Sequence, residues 1–164
     1  MTQVVFIGLG SNLSEPRQQL QEAVKHLAVL PATTLLSISS LYQSRPMGPQ
    51  DQPDYLNAVA CLETELEPEA LLDQLQAIEA DQGRLRDGQR WGARTLDLDI
   101  LLYGALSMNT SRLIIPHPGT HEREFVLLPL KEIAPDLDIP GQGLVSELAE
   151  RCDPNGIFRV GELH

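Results

Sequence analysis

The order of elements along the chain predicts an α+β fold with a ferredoxin-like βαββαβ core. Two segments carry apolar residues at helical spacing, and each follows an extended apolar run. Two strand-like runs stand between these helices with no helix separating them. A further strand, after the second helix, alternates apolar and polar residues with period two. The two helices are expected on one sheet face, and a C-terminal extension is expected to cover part of the other.

Val4 to Ile7 reads as a short buried strand ending in the turn GLGSN. From Pro16 to Leu30, the residues Leu20, Val24, Leu27 and Leu30 share a helix face, with Ser14 available as a cap and Pro31 as a stop. TTLLSISSLYQ (33–43) and YLNAVACLET (55–64) are strand-like. They are joined by residues 44–54, a linker longer than paired strands usually need, and long ordered loops tend to be functional. Pro68 and Glu69 start a helix with Leu71, Leu72, Leu75 and Ile78 on one face, ended by Gly83. Residues 103–164 offer a hairpin around Tyr103 and Gly104, an apolar turn VLLPLKEIAP, and a short helix from Leu144 to Arg151. With no repeat and no low-complexity tract, a single domain over residues 1–164 is expected.

The segment RWGARTLDLDIL (90–101) sets the chemical question. Thr95, Asp97 and Asp99 fall on one strand face, and Leu96, Leu98 and Ile100 on the other. Alternate residues on one face lie roughly 7 Å apart, so the two carboxylates repel unless water or a cation screens them. Either that face is wet or something positive sits on it. Asp97 and Asp99 have the hard oxygens that magnesium takes, whereas the histidine and cysteine clusters that zinc prefers are missing. An acidic solvent face on an edge strand is the plain alternative.

Net charge is −11, which argues against general binding to nucleic acid or an anionic membrane. The mean hides a contrast: between residues 84 and 123 six arginines face four acids. Ten of the twelve basic residues are arginine, whose planar fork suits bidentate phosphate contacts. Two cysteines make neither a disulfide framework nor a thiolate zinc site, and the N-terminal segment is neither signal peptide nor membrane span. A cytoplasmic location follows as the expectation.

Gly-x-Gly in GLGSNL lacks the third glycine and the acidic partner of a dinucleotide fingerprint, so a tight turn is favoured there. No Gly-x-x-x-x-Gly-Lys loop exists, and arginines must hold any phosphates. Trp91, flanked by Arg90 and Arg94 in a glycine-containing loop, suits stacking on a heterocycle or anchoring of the loop. His117, between two prolines, caps a strand end and stands with Arg112 and Arg123 as a phosphate donor. Tyr55 and Asn57 share a strand face; the amide suits a heterocycle edge or a satisfied polar position equally. Phe125 reads as core and Glu79 as a solvated helix face when taken alone.

Four stretches together resemble the 6-hydroxymethyl-7,8-dihydropterin pyrophosphokinases of folate biosynthesis: GLGSNL (8–13), PMGPQDQPDYLNAV (46–59), RWGARTLDLDIL (90–101) and PHPGTHEREFVLLPL (116–130). The third is the most specific. The resemblance implies transfer of the β,γ-pyrophosphoryl group of ATP to a pterin hydroxymethyl group, with AMP as the other product. It implies two magnesium ions on Asp97 and Asp99, and catalytic roles for these and for Arg84 and Arg94. ATP would be held by Glu79, Arg86, Trp91, Arg94, Ile100, Arg112, His117 and Arg123. The pterin would be lined or read by Ser44, Met47, Tyr55, Asn57 and Asp97, and sandwiched by Trp91 and Phe125. Ala93, Ser44 and Gly119 depart from residues common in such enzymes at those positions, which bears on loop mobility and affinity rather than on reaction type. The loops 44–54 and 84–94 are expected to close as lids, and a monomer is expected. The same element order serves RNA-recognition modules and small regulatory domains. The first would need aromatics on a basic sheet, and the second has no use for paired aspartates among arginines.

Overall fold

The computed structural model describes residues 2–11, 15–44, 55–82, 96–118, 120, 123–152 and 157–162. Ser14, the expected lid loop 84–94 and all of the expected lid loop 44–54 except Ser44 lie outside the described residues. The elements are β1 (Gln3–Ser11), α1 (Pro16–Ala28), β2 (Thr33–Ile38), β3 (Leu41–Ser44), β4 (Tyr55–Thr64), α2 (Pro68–Asp81) and β5 (Asp97–Tyr103). After them come β6 (Met108–Asn109), β7 (Ile114–Ile115), α3 (Glu124–Ile133), β8 (Asp138–Ile139), β9 (Gly143–Leu144), α4 (Val145–Arg151) and β10 (Phe158–Gly161). The architecture is a mixed α/β one, with four helices around an antiparallel sheet.

The main sheet runs β10-β3-β4-β1-β5, and β2 pairs with β4 beyond the end of β3. Within β1, Val5, Ile7 and Leu9 point to one face and join Leu20 and Leu27 of α1 and Leu71 and Leu75 of α2 in one core. Phe6 points the other way and packs with Val59 of β4, Leu127 and Leu130 of α3, and Val145 of α4 in a second core. Leu20, Leu27, Leu71 and Leu75 are fully buried, each contributing about 1.5–3 kcal/mol of transfer free energy.

Four expectations are corrected. Residues Gly8 to Ser11 of the expected turn are strand: β1 runs through Gly8, Leu9 and Gly10, paired on both sides with β4 and β5, to Ser11, paired with β4. Flanking ladders override the weak strand propensity of glycine. The strand expected over 33–43 is broken at Ser39 and Ser40. Ser39 donates its N–H to the Val59 carbonyl (2.9 Å), while its hydroxyl accepts the Val59 N–H (2.9 Å) and donates to the Ser40 carbonyl (2.8 Å). A hydroxyl thus stands in for a ladder carbonyl, and the strand restarts as β3. The apolar turn VLLPLKEIAP lies mostly within α3, which carries Pro129 in its interior. Proline there removes one intrahelical bond, and burial of Val126, Leu127 and Leu130 compensates. Tyr103 ends β5, Gly104 turns at φ 53°, and the hairpin itself is β6–β7.

Glu132 on α3 ties the second core to the sheet. Its carboxylate accepts the Ser40 N–H (3.0 and 3.1 Å), the Ser40 hydroxyl (2.9 Å) and the Tyr42 hydroxyl (2.8 Å). Arg159 of β10 donates to the Ser40 hydroxyl at 2.7 Å. Burial works to raise the Glu132 pKa, but the Ser40 N–H, the two hydroxyls and the Arg159 charge outweigh it and hold the carboxyl below its ordinary range. Burial, the Glu132 bond and the Glu132 charge push the Tyr42 phenol up to about 12.

The sign for Tyr42 follows directly. A folded pKa of about 12 against an ordinary 10.0 means that the folded chain holds the proton more tightly, so stability falls as pH rises between those values. Tyr42→Phe is expected to be less stable than the parent at neutral pH and to lose this alkaline slope. Denaturant midpoints measured from pH 8 to 12 check it.

Candidate active site

β5 is the edge strand beside β1, and its register places Asp97 opposite Gly10 and Asp99 opposite Gly8. Gly10 also pairs with Asn57 of β4, which pairs in turn with Tyr42 of β3. A row Tyr42–Asn57–Gly10–Asp97 therefore crosses the sheet on the face that also carries α3. Asp97 and Asp99 both open into one cavity of about 200 Å³ on that face, as the period-two reading expects. Ser44, Tyr55 and Asn57 line one side of it, and His117, Arg123 and Phe125 line the other.

Each side chain is held from below. Asn57, only 5% exposed, donates its amide N–H to the Ser44 hydroxyl at 2.7 Å. The His117 N–H donates to the Leu101 carbonyl at 3.0 Å, which docks the segment after β7 onto β5. The imidazole Nδ1 lies 2.9 Å from the Pro118 carbonyl; a carbonyl only accepts, so that nitrogen carries the proton. Nε2 is thereby turned toward Asp99, 3.8 Å away. Thr120 is buried and donates its hydroxyl to the His117 carbonyl at 2.6 Å. Arg123 immediately precedes α3, and its guanidinium sits 5.7 Å from the Phe125 ring centroid, within cation–π range. Phe125 is half-buried: it packs on the second core and also faces the cavity.

Glu79 corrects the solvated-face reading. It is 6% exposed, and its carboxylate accepts the Leu98 N–H at 2.7 Å, between the two aspartates in sequence. It lines neither described cavity, and its visible work is to hold the free edge of β5. A second cavity of about 280 Å³ shares Asp99 and His117 with the first and is lined further by Ile100, Thr110 and Arg112. Arg112 bonds Asp73 of α2 and lies 3.3 Å from Glu69, contacts that favour its charged form, led by the Asp73 hydrogen bond. Met47, Arg84, Arg86, Trp91 and Arg94 lie outside the described residues. Gly8, Gly10 and Thr120 belong to the cavity wall and were not expected there; the signal for the glycines was their period-two match to the aspartates across the ladder.

Taken together, an exposed carboxylate (Asp99), a half-buried one (Asp97), an arginine and a histidine border a polar slot backed by aromatics, an arrangement suited to an anionic chain beside a flat heterocycle. The sequence profile of the 7,8-dihydro-6-hydroxymethylpterin-pyrophosphokinase (HPPK) family matches residues 6–135. A 2-amino-4-hydroxy-6-hydroxymethyldihydropteridine pyrophosphokinase of Haemophilus influenzae is 56% identical over 94% of this chain and 96% of its own. The protein of the same name from Pseudomonas aeruginosa is 51% identical over 98% of each chain. The wild-type HPPK-DHPS structure from Plasmodium falciparum superposes with a TM-score of 0.73 over 92% of this chain at 14% identity. That likeness is one of fold, and this chain spans 45% of the solved chain's length. The chain belongs to the HPPK family.

Removing the Glu79 carboxylate leaves the Leu98 N–H buried without its acceptor. Glu79→Ala is expected to lose about 1–3 kcal/mol of unfolding free energy, and Glu79→Gln, which keeps an acceptor oxygen, less than half of that. Urea denaturation of both variants checks the difference.

Proposed function

We propose that this chain is a transferase that moves the β,γ-pyrophosphoryl group of ATP onto the hydroxyl of 6-hydroxymethyl-7,8-dihydropterin, giving the pterin diphosphate and AMP in folate biosynthesis. The observation that carries this reading is the pair Asp97 and Asp99 opening on one cavity with Asn57 on one flank and His117 and Arg123 on the other, in a chain of the HPPK family. The substrate oxygen forms a bond to Pβ, the bond from Pβ to the oxygen that bridges it to Pα breaks so that AMP leaves with that oxygen, and the hydroxyl proton is lost to solvent.

The donor set fits magnesium. Asp97 and Asp99 are hard carboxylates on one wet face, and no cluster of three or more metal-ligating side chains exists among the described residues. Magnesium commonly takes one or two carboxylates and completes its shell with phosphates and water. Two ions held by Asp97 and Asp99 would neutralise triphosphate charge and polarise the phosphoryl oxygens. The remaining work belongs to the chain. Asn57, steadied by Ser44, reads the pterin edge; Tyr55 and Phe125 flank the ring; Asp97 reaches the pterin as well as the metal. Arg123 supplies positive charge to phosphate oxygens, the His117 Nε2 can donate to them only when the ring carries a proton on both nitrogens, and Arg112 with Ile100 borders the nucleotide end of the second cavity. Arg84, Arg86, Trp91, Arg94 and Met47 complete this reading from the closing loops, where they exclude water and stabilise charge that develops in transfer.

The fold is read as a ferredoxin-like βαββαβ core with α3 and α4 as the extension over the second sheet face, supported by the strand order and the two cores. A single domain, a monomer and a cytoplasmic setting accompany the proposal. Among the described residues no helix is long and apolar enough to cross a membrane, and the net charge of −11 disfavours a nucleic-acid partner.

Mixing the protein with ATP, magnesium and the reduced hydroxymethylpterin is expected to yield AMP, read by anion-exchange chromatography; ADP would reject pyrophosphoryl transfer. Asp97→Ala and Asp99→Ala are each expected to lower kcat by roughly two to three decades, equivalent to several kcal/mol of transition-state stabilisation. Full steady-state activity in either variant would remove the proposed site.

A further inference from the structure

The strand register carries one row of residues across the whole sheet. Arg159 of β10 stands opposite Tyr42 of β3, and Tyr42 opposite Asn57 of β4. The row continues through Gly10 of β1 to Asp97 of β5. Residues directly opposite one another share a face, so Arg159 lies on the cavity face at the margin farthest from Asp97. It lines neither described cavity.

The Arg159 Nε donates to the Ser40 hydroxyl at 2.7 Å. A guanidinium has no acceptor, so that hydroxyl accepts from Arg159 and sends its own proton to the Glu132 carboxylate, 2.9 Å away. One hydroxyl, on a residue only 3% exposed, thus joins the last strand of the chain to the end of α3. Arg159 itself is exposed, and an exposed charge alone contributes little. Its bond to a buried hydroxyl already polarised by a carboxylate contributes more. Val160 packs on the first core from the opposite face, so β10 keeps a separate anchor when the guanidinium is removed.

The two partners of the Ser40 hydroxyl lead to opposite walls of the cavity. On one side is β3, a strand of four residues with β4 inside it and β10 outside it; it ends at Ser44, whose hydroxyl holds the Asn57 amide. On the other side Glu132 stands near the end of α3, and Phe125 near its start faces the cavity. We infer that Arg159 is a positioning residue for the transfer: through the shared Ser40 hydroxyl it fixes the spacing between the β3 wall and the α3 wall, and so the width of the slot that takes the flat ring. This inference rests on the proposed pterin transferase reading. It also makes the effect selective, because the second cavity is lined by α2, β5 and residues 110–118, with no described residue from β3, β10 or α3.

Arg159→Ala, Arg159→Lys, Ser40→Ala and the double variant Arg159→Ala/Ser40→Ala test it in the full chain by calorimetric titration. One titrant is a magnesium complex of a non-hydrolysable ATP analogue; the other is the reduced hydroxymethylpterin, added to protein saturated with that complex. Losing a charge-assisted bond that holds a binding group from behind is expected to raise the pterin Kd roughly tenfold in Arg159→Ala. The ATP-analogue Kd is expected to stay within about threefold, and Arg159→Lys, which keeps a charged donor at similar reach, to recover most of the pterin affinity. Ser40→Ala should match Arg159→Ala, and the double variant should be no weaker than the worse single one, since all three break one joint. Parental pterin affinity in Arg159→Ala overturns the inference and leaves the transferase reading standing. So does equal loss of both ligands, no recovery in Arg159→Lys, or additive losses in the double variant. Should Ser40→Ala fail to fold, the two Arg159 variants decide alone. A parent protein that binds no pterin overturns both the inference and the reading beneath it.

Discussion

Two like charges on one face of an edge strand are the constraint around which the rest of the chain is arranged. Asp97 and Asp99 repel across roughly 7 Å of strand, and both open into the same cavity. An edge strand carrying such a pair would be a weak end to a sheet. The chain answers with Glu79, brought in from α2 to take the Leu98 N–H, and with His117, whose own N–H closes on the Leu101 carbonyl. β5 is thus gripped at both ends from its outer side while β1 holds its inner side. Both carboxylates keep facing the cavity because the backbone between them is fixed.

The two cores divide the labour. Helices α1 and α2 bury one sheet face and make the platform rigid. On the other face α3 and α4 cover only part of the sheet, and the uncovered part is the cavity floor. Arg123 and Phe125 reach that floor because they stand at the start of α3, whose later turns anchor in the second core. Glu132 at the far end of the same helix fastens it to Ser40 and Tyr42. One helix therefore transmits the position of the sheet to two site residues through apolar packing at its middle and a polar clasp at its end.

Much of this was legible in the sequence, and the failures have physical causes. Period two placed Asp97 and Asp99 together, and helical spacing placed Leu20, Leu27, Leu71 and Leu75 inside, because both patterns are local. Glu79 was readable too: it lies four residues after Leu75 and one after Ile78, on the buried stripe of α2, and its charge disguised it. Pro129 hid α3, since only tertiary burial offsets the bond it removes. The glycines of β1 hid the strand's second half, which exists through pairing with β4 and β5. β10 is defined by its pairing with β3, about 115 residues earlier, and no local pattern announces such a partner. The arginine and tryptophan loop that carries the sequence resemblance most strongly stands outside the described residues, so its residues rest on the motif alone.

The account turns on the carboxylate pair being a cost without a cation and an asset with one. The direct measurement is the Tm of the parent and of Asp99→Asn, each with chelator and each with magnesium and a non-hydrolysable ATP analogue. The account predicts a crossover: the variant melts at the same temperature or higher in chelator, and only the parent rises with the magnesium nucleotide. A variant that is destabilised in chelator, or that gains as much from the magnesium nucleotide as the parent does, would contradict it.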